Sequence, residues 1–145
     1  MNAIDLRSLL ADNNHAGAYF IAEGDAAEAA EAGAALRFEV VRIDVSGCAD
    51  AATLFARFAD ALHFPDWFGH NWDALSDALG DLSWLPASGY LLLIEHASDW
   101  RAAASRDAAT LLEILNETAA IWAGQGVAFW ALLPLPATEL DALDR

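Results

Sequence analysis

Lysine is absent from this 145-residue chain, and seven arginines face 22 aspartates and glutamates, for a net charge of −15. The missing lysine excludes Schiff-base chemistry and a lysine-dependent phosphate loop. The scarcity of positive charge argues against nucleic acid or an anionic membrane as partner, because a field this negative repels both and draws basic proteins. Cysteine occurs once, as Cys48, so no intrachain disulfide can form, which suits a reducing compartment. Cys48 follows Gly47 with no basic residue beside it in sequence, which is a poor setting for a catalytic thiolate. The opening residues, MNAIDLRSLLADNN, carry neither the basic stretch nor the long apolar stretch of a secretory signal. The longest uncharged apolar run, residues 127–137, is shorter than the about 20 residues a bilayer span needs, and two prolines interrupt it. Together these absences lead us to expect a cytoplasmic protein with no membrane partner.

What the chain does have is apolar surface to bury: 57% of its residues are hydrophobic, enough for one domain with a real core. Residues 4–11 suit a short helix with Leu6, Leu9 and Leu10 on one side. GAYFIA at 17–22 suits a strand, after which Asp25 is placed to cap an alanine–glutamate helix that Gly33 should break. Residues 38–46 alternate as a strand closed by Gly47, and Asp50 is placed to open a helix striped by Leu54, Phe55, Phe58 and Leu62. YLLLIE at 90–95 is apolar on both faces, as a central strand covered on each side requires. A short helix at 97–105, a long one at 106–123 with Gly124 as its cap, and a buried strand at 127–133 follow, then one or two helical turns. Strands alternating with helices predict an α/β domain with a small, mostly parallel sheet of three to four strands flanked by helices.

One stretch resists this economy. FPDWFGHNWDALSDAL, residues 64–79, sets large aromatic rings among acids. Pro65 stops the preceding helix, Gly69 offers a positive-φ turn, and Asn71 is a good N-cap for a helix beginning at Trp72. At 100° per residue, Phe68, Trp72, Leu75 and Leu79 fall on one face, with Asp73, Ala74, Asp77 and Asp81 on the other. Asp73 and Asp77 form an i,i+4 like-charge pair with no arginine in the segment to relieve it, which points to neutralisation from outside the chain. Trp67, in the turn beside Asp66, has the character of an interface anchor.

The segment resembles the signature of the barstar family, intracellular inhibitors of barnase-type ribonucleases, written P-x-W/Y-F/Y-G-x-N-x-D-A-L-x-D-x-L. It carries the pattern as Pro65, Trp67, Phe68, Gly69, Asn71, Asp73, Ala74, Leu75, Asp77 and Leu79. The strand and helix before it and LLLIEH after it agree with that family. The similarity spans residues 38–133, leaving 1–37 as an N-terminal extension and 134–145 as a tail of a single domain. The resemblance implies a protein inhibitor, not an enzyme and needing no cofactor or metal, that plugs the RNA cleft of a basic, extracellular-type ribonuclease. It implies that Asp77 enters the phosphate subsite, Asp73 meets a second cation, and Trp67 packs on the catalytic histidine. Gly69 and Asn71 would shape the loop. At two contact positions that the pattern leaves free, the resemblance implies a tryptophan and a glutamate, where this chain has Ser76 and His70. Alanine stands near position 119, where a further contact glutamate is expected, with Glu113 and Glu117 close by.

Two other readings stay open. An acidic module for a different basic partner would use the same surface. A metal-dependent hydrolase would use His70, Asp73 and Asp77, spaced three and four apart on one helix, although no HExxH or second cluster accompanies them. His15 and His96 have no evident sequence partners and are expected to be structural.

Overall fold

The computed structural model describes residues 3–143. Four parallel strands form its centre: β1 (Ala18–Ala22), β2 (Glu39–Asp44), β3 (Gly89–Glu95) and β4 (Ala128–Leu135), in the spatial order β1-β4-β3-β2. The expected four-stranded α/β sheet is therefore present, and every strand pair is parallel. β4 is buried along its whole length and β3 along all but its last residue, because helices cover both sides. β4 runs two residues further than its apolar run suggested, through Pro134 to Leu135.

Seven α-helices connect and flank the strands: α1 (Ala3–Ala11), α2 (Ala26–Ala35), α3 (Ala51–Leu62), α4 (Trp72–Asp81), α5 (Ala97–Ala103), α6 (Ser105–Ala123) and α7 (Ala137–Ala142). Strand alternation splits the core in two. Leu92, Ile94, Phe129, Ala131 and Leu133 face Leu54, Phe58, Leu75, Leu79, Leu111 and Leu115 of α3, α4 and α6. Leu91, Leu93, Trp130 and Leu132 point the other way, to Leu10 of α1 and Ala29 and Ala32 of α2. Topology accounts for this split. The chain crosses the whole sheet from β1 to β2 and then steps back through β3 to β4, so right-handed crossovers put α2 on one face and α3 to α6 on the other.

Three local expectations need correction. Gly33 does not break α2; it lies inside the helix, where a Cβ would sit 2.8 Å from Leu91 Cδ2 and 3.1 Å from Val40 Cγ2. Its role is close helix–sheet approach. Asp25 makes no side-chain cap, because it ends a 3-10 turn, Glu23–Asp25, with helical rather than extended backbone angles. His15 and His96 do have partners: their Nδ1 atoms lie 2.7 Å from Asp12 Oδ2 and 3.0 Å from Asp44 Oδ1. Asp44 also accepts the Ser46 N–H at 2.9 Å, which with His96 holds its carboxyl down at about 2. By contrast Asp50 caps α3 as expected, accepting the Thr53 N–H at 2.9 Å.

Candidate functional site

The loop between α3 and α4 is built by its termini. α3 stops when His63 turns left-handed (φ 56°), and the N–H groups of His63 and Phe64 both return to Ala59 O, a close well matched to the following proline. Phe68 N–H then bonds to Pro65 O at 3.0 Å, closing a tight turn that sends Trp67 outward and Phe68 into the core. The positive φ expected at Gly69 belongs to its neighbour, His70, at 52°. Histidine tolerates this region better than most side chains. The ring here supplies its own support: it lies 4.8 Å from the Phe68 ring, and its Nδ1 is 3.1 Å from Phe68 O. A carbonyl only accepts, so the contact requires the proton on Nδ1.

Asn71 is the N-cap as its type suggested: extended in backbone, its Oδ1 accepts the Ala74 N–H at 2.8 Å. The other end of α4 is also tied. Leu82 closes it in left-handed conformation, and the Trp122 indole N–H of α6 donates to the Leu79 carbonyl at 2.9 Å. Leu75, Ala78 and Leu79 are buried. Trp72, which the helical projection puts on the apolar face with Leu75 and Leu79, is only half-buried and meets α3, edge-on to Phe55 at 4.9 Å.

On the outer side, Asp73 and Asp77 are exposed and Ser76 is half-buried between them and the core. Among the described residues the ion pairs are His15–Asp12, Arg42–Glu95, His96–Asp44 and Arg101–Glu139; none reaches α4 or Asp66. Trp67 is 55% exposed and stands edge-on to Trp84 at 5.7 Å. Trp84 is itself fixed, donating its indole N–H to Leu62 O at 3.0 Å and abutting Phe64 at 5.9 Å. Sequence reasoning missed Trp84: it shows there only as another aromatic after the helix, and which ring it meets depends on the fold.

Trp67, Gly69, His70, Asn71, Asp73, Ser76 and Asp77 thus share one loop and the first six residues of one helix. The possible metal trio is not assembled: among the described residues no three His, Cys, Asp or Glu side chains form a metal-holding group, and the His70 ring packs on Phe68. Cys48 is buried, and burial pushes its thiol up, away from reactive thiolate. No helix among the described residues is long and apolar enough to cross a membrane.

No curated protein matches the chain. Among solved structures it is similar to a chain of "Structure of Drosophila ORC bound to DNA", with 16% identity and a TM-score of 0.51. That likeness covers 94% of this chain but only 37% of the other, and it shows the fold alone. Residues 38–134, two thirds of the sequence, match the family described as Barstar (barnase inhibitor). A match over that share of the sequence shows the family: the chain belongs to the Barstar family of barnase inhibitors.

Proposed function

We propose that this protein inhibits a basic, extracellular-type ribonuclease inside the cell by seating α4 and the preceding loop in the enzyme's RNA cleft. The observation that carries the reading is the pair of exposed carboxylates, Asp73 and Asp77, without an ion-pair partner among the described residues, on a helix capped at both ends beside an exposed tryptophan. In this reading Asp77 meets the cations that hold an RNA phosphate, Asp73 meets a second cation, and Trp67 packs on the catalytic histidine. Asn71 and Gly69 hold the loop's shape. The exposed His70 flanks this surface, and Ser76 lies at the contact's inner border. Two fixed negative charges without a scissile bond occupy the cleft and cannot be cleaved. No catalytic group, metal or cofactor is needed for this activity.

The test is titration of a barnase-type ribonuclease, ideally from the same organism, with the intact protein. Inhibition should be complete near one equivalent and should be lost in Asp77→Ala with an unchanged fold. Capture of a different basic protein by the wild type, together with no effect on any ribonuclease, would favour the acidic-module reading instead.

A further inference from the structure

The face of the sheet opposite α4 is not fully covered. α2 packs over β2 and β3, while the β1–β4 side is covered more sparsely, by α1, the Glu23–Asp25 turn and α7. Between α1, α2, β1 and α7 lies a cavity of about 580 Å3, walled by Leu6, Leu9, Ile21, Trp130, Leu132 and Leu140. It reaches Ala22 and Asp25 at the carboxyl end of β1. There the strand order reverses, since β1 leads into the crossover that lies on the opposite face from all the others. Open α/β sheets bind ligands at such a reversal, and a volume of this size is that of a small-molecule site, typically about 300–1,000 Å3.

The cavity is held open by hydrogen bonds. The Trp130 indole N–H donates to Leu10 O at 2.8 Å, and the Tyr19 hydroxyl donates to His15 O at 2.6 Å. Tyr19 leans on Trp130 at 5.7 Å while remaining 46% exposed. The polar groups at its rim are His15, Asp25 and Glu28. His15 is engaged by Asp12, and among the described residues no arginine lines the cavity and Asp25 and Glu28 are exposed with no ion-pair partner, although Arg7 shares the adjoining depression with Glu28 and Glu31. Both acids sit at the start of α2, whose N-terminus contributes only about half a positive charge. Asp25, Glu28 and the neighbouring Glu31 together outweigh this half charge and the Arg7 guanidinium, so the mouth is negative.

We propose that this cavity binds a small amphipathic organic cation, its apolar body between α1 and β1 and its ammonium group at Asp25 and Glu28. A ligand of this size fills the volume without needing the wider face that a protein partner would cover. The site is separate from α4, so occupancy leaves the inhibitory surface free.

The experiment follows amide spectra of the intact protein titrated with phenylbutylammonium and, separately, phenylbutyrate, which match in body and oppose in charge. The cation should bind with one-to-one stoichiometry and shift Leu9, Ile21, Glu28 and Leu132; the anion should not. Asp25→Asn with Glu28→Gln should weaken the cation about threefold to tenfold, as loss of two exposed charge contacts implies. Leu140→Trp, which fills the cavity from α7, should abolish binding, whereas Asp77→Asn should leave it unchanged. Equal binding of both probes, shifts confined to other surfaces, or no response to the charge variants would overturn the proposal. So would contacts showing the cavity already filled by the chain's own first five residues or by a second copy.

Discussion

Replacing Asp77 by asparagine removes one charge from α4 and leaves its shape intact, so it separates what the acid does for folding from what it does for binding. In the free protein Asp77 and Asp73 are one helical turn apart and exposed, without an ion-pair partner among the described residues. Such a like-charge pair costs about 0.2–0.5 kcal/mol. Asp73 recovers part of this from the N-terminal dipole, worth about 0.3–1 kcal/mol in the first turn, and Asp77 lies beyond that turn. Asp77→Asn should therefore stabilise the free protein by a few tenths of a kcal/mol, about 1 °C in Tm at this chain length, while Asp73→Asn should leave Tm nearly unchanged. In the proposed complex the same change removes a hydrogen-bonding charge worth about 1.5–3 kcal/mol, a loss of about 10- to 150-fold in affinity. Calorimetric unfolding gives the first quantity; titration of ribonuclease activity at low and high salt gives the second, with wild-type association slowing as salt rises. Affinity unchanged in Asp77→Asn would refute the site assignment. A fall of several degrees in Tm would show that Asp77 is structural and that the argument from uncompensated charge is wrong.

Asn71→Ala should cost about 1 kcal/mol, read as a Tm drop of about 2–4 °C, because the Ala74 N–H loses its side-chain acceptor. Two helical glycines should respond with opposite signs in urea unfolding: Gly80→Ala meets open space and gains about 0.5–1 kcal/mol, whereas Gly33→Ala drives a Cβ against Leu91 and Val40 and loses about 1–3 kcal/mol. The Asp44 carboxyl is lowered from 3.8 to about 2 by the Ser46 N–H and by His96, so folding favours its ionised form. That contribution is complete above the ordinary value and disappears as pH falls toward 2; Asp44→Asn should flatten the acid limb of the urea midpoint in that window. We also propose that residues 1–37 are part of one domain rather than an appendage. Removing them takes away β1 and the cover of Trp130, Leu91 and Leu93, and should give a chain that aggregates on dilution from urea; a soluble, cooperatively folding fragment would refute this.

The sequence revealed most where residue pattern acts locally. β2, β3 and β4 were visible as alternation or doubly apolar runs, and Asp50 and Asn71 as caps, because strand burial and helix N-termini are decided within a few residues. Where it misled, the deciding partner was distant. Gly33 looked like a helix breaker because its reason, the approach to Leu91 and Val40, lies across the sheet. The positive φ was assigned to Gly69 on intrinsic freedom, yet His70 holds it through contacts with Phe68. The bracing of Trp67 by Trp84 depends on an indole bond to Leu62, 22 residues away. The acid stripe was legible; its rigidity was not.

That rigidity bears on how such an inhibitor binds. Trp67 has two side-chain torsions and leans on a ring fixed by the Leu62 carbonyl, and α4 is closed by Asn71 at one end and by Leu82 and Trp122 at the other. Little freedom remains to be lost at Asp73 and Asp77 on association, which lowers the cost of binding. Ser76 acts in the other direction. Where the family resemblance implies a tryptophan, this chain offers a half-buried hydroxyl and forgoes the apolar area of an indole, on the order of 200 Å2. On the proposed reading, electrostatics then carries a larger share of the attraction. Ser76→Trp should therefore tighten inhibition by a similar factor at low and high salt, because the indole adds area and no charge. A variant that fails to tighten, or whose gain vanishes at high salt, would refute this account of Ser76.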